Sequence, residues 1–223
     1  MFISRMTLSP DMSGKRTYQG EYALHKAVWE FFKDRPDQER DFLYRRDVQR
    51  GSIIILTVSM RQPRPDGPHW TVATKPYTPD LRHGDRLRFS LRANPTRTKY
   101  AGSDTRGKRV DVIMDHKKRL KAENVPPDSR PTESAMAQRL GCDWLLRRAA
   151  GIGLAIEEDT LLAHSYTLWR FAKPATRNPL QFATLDFEGF ATVADPAKAL
   201  DAMTRGVGPA KGFGCGLLLA RRA

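Results

Sequence analysis

Residues 195–222, DPAKALDAMTRGVGPAKGFGCGLLLARR, predict a helix, a glycine-rich loop and a strand in succession. Asp195 is a typical N-cap, Pro196 suits the first helical position, and Gly206 stands just beyond the last helical turn. The apolar run after the glycines has the composition of a final strand. Loops that bind nucleotide phosphates lie between a strand and the N-terminus of the next helix, and this loop has the opposite order. The order therefore argues against a nucleotide-binding fold.

The rest of the second half completes a ferredoxin-like pattern. Four segments predict a strand, a helix and two strands, in that order, at 86–92, 132–150, 160–171 and 181–193. In the first of them, RLRFSLR, apolar and polar residues alternate strictly, and the helix has Thr132 as its expected N-cap. Together with the final helix and strand, this is the split βαβ order of a ferredoxin-like domain.

The first half fits the same plan. Its predicted strands and helix are FISRMTL (2–8), GEYALHKAVWEFF (20–32), FLYRR (42–46), SIIILTVS (52–59) and WTVATK (70–75). The prolines of RQPRPDGPHW forbid a regular helix, so the second helix of this half is expected to be weak or missing. We therefore predict an α+β protein with two tandem ferredoxin-like domains of the βαββαβ, RRM-like type, at residues 1–80 and 85–223.

The composition favours a polyanionic partner. Lysine and arginine number 38 against 25 acidic residues, and the net charge of +13 indicates nucleic acid ahead of an anionic membrane surface. Cys142 and Cys215 have no spacing typical of disulfide frameworks or zinc sites. No apolar run approaches the roughly 20 residues that cross a bilayer. We expect a cytoplasmic protein with no cofactor, no metal, no membrane partner and no small-molecule substrate.

The predicted helix at 20–32 carries groups suited to acid–base chemistry. Its apolar stripe consists of Leu24, Val28 and Phe31. Away from this stripe, Tyr22, His25 and Lys26 are spaced so that all three can reach one site. Metal-free RNA cleavage needs a base, an acid and a cation, which a histidine, a phenol and an ammonium can supply. An ordinary solvent-exposed helix face is the alternative interpretation.

Two further segments have both a structural and a functional interpretation. The basic stretch at 92–121 is either a solvated loop or a loop that orders against an RNA backbone. Its candidate RNA ligands are Arg97, Lys99, Lys108, Arg109, Lys117, Lys118 and Arg119. The glycine-rich loop is either a helix cap with a tight turn or a backbone contact to RNA. Its candidate ligands are Gly206, Gly208, Lys211, Gly212 and Gly214.

A possible metal site in the basic stretch is not expected. Asp111, Asp115 and His116 could be considered as metal ligands. They lie next to the run KKRLK, whose positive charge would repel a cation.

Three stretches, YALHKAVWEFF, RANPTR…GKRVDV and GVGPAKGFGCGLLLARR, occur in order across nearly the whole chain. In this combination the chain resembles the CasE family, the repeat-RNA endoribonucleases of type I-E CRISPR Cascade complexes. The resemblance implies two ferredoxin-like domains and metal-independent cutting of precursor CRISPR RNA beside a repeat hairpin. It also implies that the protein stays on the hairpin as a Cascade subunit, that Tyr22 and His25 are catalytic, and that the glycine-rich loop contacts RNA.

The resemblance leaves several assignments open. Some members of the family have a further catalytic lysine about one turn after the histidine, where this chain has Glu30, and Lys26 or Lys33 could replace it. Which of Tyr22 and His25 is the acid and which the base is also open. The alternative functions are a non-catalytic subunit that binds an RNA hairpin and a basic ribosome-associated protein.

Overall fold

The computed structural model describes residues 1–13, 15, 21–33, 39–64, 67–100, 107–171 and 180–223. Over these residues the strands are Phe2–Leu8 (β1), Phe42–Gln49 (β2), Ser52–Ser59 (β3), Trp70–Pro76 (β4), Arg86–Ala93 (β5), Thr96–Lys99 (β6), Lys108–Asp111 (β7), Leu154–Ile156 (β8), Leu162–Phe171 (β9), Leu180–Val193 (β10) and Leu218–Arg222 (β11). The helices are Pro10–Ser13 (α1), Glu21–Glu30 (α2), Val112–Ala122 (α3), Glu133–Ala149 (α4) and Pro196–Arg205 (α5). None of the helices in this part of the chain is long and apolar enough to cross a membrane.

The first half forms a four-stranded antiparallel sheet in the order β2-β3-β1-β4. The first and third strands of the unit lie in the centre, as a ferredoxin-like βαββαβ sheet requires. Helix α2 covers one face, and the predicted stripe of Leu24, Val28 and Phe31 is fully buried against it. The described residues between β3 and β4 contain no helix.

The second half forms a second antiparallel sheet with the path β11-β5-β10. Strand β9 pairs with the first part of β10 and β8 with its last residues, so the two share one edge. Helices α4 and α5 pack on the sheet through buried residues such as Trp144 and Met203. The predicted caps are confirmed: Thr132 accepts from the amide of Ala135, and Asp195 accepts from that of Lys198. The prediction of an α+β fold is confirmed.

Both interpretations of the basic stretch treated it as a loop, and this is wrong for much of the interval after β5. Strands β6 and β7 pair as an antiparallel hairpin, and α3 follows directly, with Asp111 as its N-cap. Residues 101–106 of the predicted loop lie outside the described residues. Helix α3 was not predicted from the sequence, because its buried face includes a charged residue and a histidine, Asp115 and His116, beside Ile113. Such a face gives little apolar periodicity.

The two sheets contact each other through an apolar cluster and an arginine. The cluster contains the buried residues Leu43, Val58 and Leu217. Beside it, Arg92 of β5 forms two hydrogen bonds to Asp186, at 2.7 and 2.8 Å, and donates to the backbone carbonyl of Arg46 in β2. Its backbone carbonyl also accepts from the amide of Gly216, at 2.7 Å. Arg92 therefore connects both sheets to the glycine-rich loop. The division of the chain into two domains, at residues 1–80 and 85–223, stays a prediction.

Candidate active site

Helix α2 presents His25 to the glycine-rich loop of the other half. The ring is half-buried, and its Nδ1 lies 2.6 Å from the carbonyl oxygen of Gly212. A carbonyl oxygen only accepts hydrogen bonds, so Nδ1 is the donor in this contact. The helix α2 and a turn near the end of the chain therefore meet at a group that can transfer protons at neutral pH.

The predicted cluster on α2 is brought together around His25. The ring of Tyr22 stacks with the imidazole at 6.5 Å between centroids, and the ring of Phe213 lies at 5.4 Å. The Nζ atom of Lys26 lies 4.9 Å from the centre of the Tyr22 ring. Lys26 therefore contacts the tyrosine, and its catalytic role, like those of Tyr22 and His25, stays a prediction.

Two glycines with a left-handed backbone shape the glycine-rich loop. Gly206 ends α5 with φ at 79°, and Gly214, with φ at 77°, is buried where a Cβ would lie 3.3 Å from the ring of Tyr44. Side chains rarely adopt this left-handed backbone, so both positions favour glycine. Between them, the short 3₁₀ turn Lys211–Phe213 brings Gly212 to His25. Gly206 and Gly214 thus shape the turn. Contact of the predicted loop ligands with RNA stays a prediction for all five, Gly206, Gly208, Lys211, Gly212 and Gly214.

Two cations flank this turn, and one of them was missed in the sequence. A Cβ on Gly212 would lie 3.0 Å from Nη1 of Arg40 and 3.7 Å from Cε1 of His25, so both side chains border Gly212. Burial lowers the pKa of Arg40, and burial followed by the charge of Arg40 lowers the pKa of Lys211. Two partly buried positive charges beside a histidine attract an anion. Arg40 was missed because it lies in a polar segment without periodicity.

A basic groove of about 540 Å³ leads from this turn to the β6–β7 hairpin. Its basic lining residues are Arg40, Arg97, Arg109, Arg148 and Lys211. None of the described residues that line the basic groove is acidic. The groove brings together four predicted RNA ligands, Arg97, Arg109, Gly208 and Lys211, and adds Arg40 and Arg148. Clustered cations of this kind are typical of a surface that binds a phosphate backbone.

The other predicted RNA ligands lie outside the basic groove. Lys99 forms an ion pair with the buried carboxylate of Asp115, which also binds Arg97, and Lys117 pairs with Glu133. Lys108 and Lys118 are exposed. Arg119 lies 3.6 Å from Glu123 and donates to Nδ1 of His116 at 3.1 Å. Several of these cations are therefore partly neutralised by protein carboxylates.

The residues considered as metal ligands have other roles. Asp111 caps α3 and accepts a hydrogen bond from Tyr166, Asp115 binds the two hairpin cations, and His116 lies between Arg119 and Arg139. Within the described ranges, no three His, Cys, Asp or Glu side chains form a group that could hold a metal ion.

The fold and the site define a class of protein: two antiparallel sheets with packed helices, and a histidine at their junction beside the cations of a basic groove. The family model for CRISPR associated proteins matches residues 1–222. The Cascade subunit CasE of Escherichia coli K12 is 30% identical over 200 residues, covering 88% of this chain and 89% of its own length. The CRISPR-associated endoribonuclease Cse3 of Thermus thermophilus is 30% identical over 226 residues, covering 98% of both.

A solved structure agrees with these relatives. Thermus thermophilus Cse3, bound to an RNA representing a pre-cleavage complex, superimposes with a TM-score of 0.73 and 26% identity. The match covers 99% of this chain and 98% of that one. The chain therefore belongs to the CRISPR-associated proteins of the CasE/Cse3 type, and the resemblance carried by its three sequence stretches is confirmed.

Asp115→Asn is expected to loosen the β6–β7 hairpin, because Arg97 and Lys99 lose the carboxylate that they share. Amide hydrogen exchange in β6 and β7 should speed up about tenfold at pH 7, the scale of a charged hydrogen bond with exposed partners. Burial alone would raise the pKa of Asp115, but hydrogen bonds from Lys99 and Arg97 lower it on balance. This stabilisation is therefore present at neutral pH and is lost as the pH falls through the lowered pKa.

Asp143→Asn is the matched control, since Asp143 is exposed and lines the same cavity as Asp115. The rates of amide hydrogen exchange in β6 and β7 of this variant should equal those of the unmodified protein. Equal exchange in both variants would show that Asp115 does not hold the hairpin.

Proposed function

We propose that this protein is a metal-independent endoribonuclease that cleaves precursor CRISPR RNA next to the repeat hairpin and stays on the hairpin as a Cascade subunit. The observation that carries the proposal is His25, which is hydrogen-bonded to Gly212 where the two halves meet, with Arg40 of the basic groove bordering the same glycine. The relatives support it, because Cse3 is an endoribonuclease solved with RNA and CasE is a Cascade subunit. The cytoplasm, where such RNA is made, is its proposed location.

The reaction is an attack of the ribose 2′-hydroxyl on the adjacent phosphorus. A bond forms between the 2′-oxygen and phosphorus as the bond to the 5′-oxygen of the next nucleotide breaks. The products are a 2′,3′-cyclic phosphate and a 5′-hydroxyl. One group takes the 2′-hydroxyl proton and another gives a proton to the leaving 5′-oxygen. His25 and Tyr22, whose rings stack on the same face of α2, are proposed to supply these two groups.

The charge that gathers on phosphorus requires nearby cations. Lys33, in the turn after α2, forms an ion pair with Glu30 at 3.1 Å, and both side chains are exposed. Lys26 contacts the ring of Tyr22, whereas Arg40 and Lys211 border the turn that holds His25. We therefore assign the charge stabilisation to Lys211 and Arg40 together with Lys26. These cations would take the role of the family lysine, whose position is occupied by Glu30 in this chain.

The basic groove also suits retention of the RNA. The deep major groove of a double-stranded RNA stem is closed to side chains, so the stem is recognised through its shape and phosphates. The cations among the described residues of the groove, with no acidic residue between them, supply such contacts. Binding by this route weakens as salt increases, because phosphate contacts release counterions.

His25→Ala is expected to lower the single-turnover cleavage rate of a hairpin-bearing repeat RNA by about 10²–10⁴, the loss typical of an acid–base group. The dissociation constant for the hairpin should stay within twofold, because the basic groove is unchanged. Both are measured in EDTA, and product ends are analysed for a cyclic phosphate. His83→Ala, at an exposed turn, is the control and should cleave normally.

The outcomes separate the alternatives. Tight hairpin binding with no cleavage by the unmodified protein would indicate a non-catalytic RNA-binding subunit. Equal affinity for many structured RNAs, with no preference for the hairpin, would indicate a basic ribosome-associated protein. Normal cleavage by His25→Ala would remove His25 from the mechanism.

Lys211→Ala is expected to slow cleavage by about 10- to 100-fold with saturating RNA, since charge stabilisation of this kind acts mainly in the transition state. Lys26→Ala should lose less, because its ammonium faces the ring of Tyr22. Lys33→Ala, which removes an exposed lysine from the turn after α2, is the control for net charge. A larger loss in Lys26→Ala than in Lys211→Ala would reverse the assignment.

A further inference from the structure

The carbonyl oxygen of Gly212 accepts two hydrogen bonds from the first half of the chain. One comes from Nδ1 of His25, at 2.6 Å, and the other from the hydroxyl of Tyr44, at 2.9 Å. A carbonyl oxygen has two lone pairs, so these two donors together satisfy it. The geometry leaves no ambiguity about the direction of either bond, since the carbonyl cannot donate.

From this we infer that Gly212 holds the neutral ring of His25 in the tautomer with the proton on Nδ1, and that Tyr44 is the positioning residue that keeps Gly212 in place. Nε2 is then the ring atom that exchanges protons with RNA. The neutral ring can accept the 2′-hydroxyl proton at Nε2, and the protonated ring can deliver a proton to the leaving 5′-oxygen from the same atom. This deepens the proposed function and rests on it for the RNA chemistry.

Tyr44 has the burial and contacts of a positioning residue. It lies on β2 and is fully buried, on the same face of the sheet as Phe42. A buried hydroxyl costs free energy unless it has a partner, and Gly212 is the partner here. The ring of Tyr44 also lies against Gly214, on the far side of the turn. One side chain therefore fixes the turn at both ends.

Among the described residues, titratable and charged groups reach the surroundings of His25 from several elements. Helix α2 contributes Tyr22 and Lys26, the chain before β2 contributes Arg40, β2 contributes Tyr44, and the turn contributes Lys211. The three cations disfavour a positively charged imidazolium, whereas a hydrogen bond from Nδ1 to a carbonyl favours it. A change in that hydrogen bond therefore changes the balance between the neutral and the protonated ring.

The tautomer is tested directly by nitrogen NMR of the unmodified protein. The protein is labelled with ¹⁵N-histidine, and the His25 signals are assigned by their loss in His25→Gln. Above the titration of the ring, we expect the pattern of a protonated Nδ1 and an unprotonated Nε2. The opposite pattern would overturn the inference. This readout needs no RNA, so it stands or fails separately from the proposed nuclease activity.

Tyr44→Phe tests the positioning role. Without the hydroxyl, Gly212 accepts from His25 alone, which strengthens that bond and favours the protonated ring. The pH–rate profile of cleavage should therefore move to higher pH by about half a unit to one unit, the equivalent of one hydrogen bond. The maximal rate should fall about tenfold, with hairpin affinity within twofold.

Tyr77→Phe is the matched control, because Tyr77 is a partly buried tyrosine that packs on the apolar cluster between the sheets. Its profile should not move. A uniform loss of rate in Tyr44→Phe without a shift along the pH axis would show that Tyr44 only stabilises the fold. If Tyr44→Phe fails to fold, the tautomer of the unmodified protein still decides the inference.

Discussion

The hydrogen bond between His25 and the carbonyl of Gly212 is the interaction on which the rest of the site depends. It joins α2 to a turn 187 residues further along the chain. Gly206 and Gly214 adopt a left-handed backbone, which allows the loop to bring Gly212 to His25. It is anchored by the amide of Gly216, which donates to the carbonyl of Arg92, the same residue that binds both sheets. A shift of either sheet would therefore move the histidine from its partner.

Charge is the second constraint, and it acts against the fold. Burial lowers the pKa of Arg40, Arg148 and Lys211, and neighbouring cations lower the pKa of Arg148 and Lys211 further. Groups of one sign held together repel, which costs folded stability. A phosphate backbone in the basic groove would remove that repulsion, so RNA binding should also stabilise the protein. By contrast, Asp115 and Asp186 pair with cations that support the structure.

The sequence predicted the features that depend on neighbouring residues in the chain. The caps Thr132 and Asp195, the buried stripe of α2 and the alternation in β5 follow from spacing alone. Tyr44 could have been noticed in the sequence. Side chains two residues apart in a strand share a face, so Tyr44 lies on the same face as Phe42, where its buried hydroxyl needs a partner. That partner is 168 residues away, and no local pattern identifies it. Arg40 and the helix α3 were missed for related reasons, because tertiary contacts and buried polar groups define them.

A repeat RNA with a single 2′-deoxynucleotide on the 5′ side of the cut tests the central claim most directly. The missing hydroxyl is the proposed nucleophile, while the phosphates and the hairpin that the basic groove would bind are unchanged. We predict that this RNA binds with the affinity of the all-ribose RNA, in EDTA, and is not cut. Cleavage of the deoxy-substituted RNA at the same bond would contradict the mechanism, because another nucleophile would then be attacking the phosphorus.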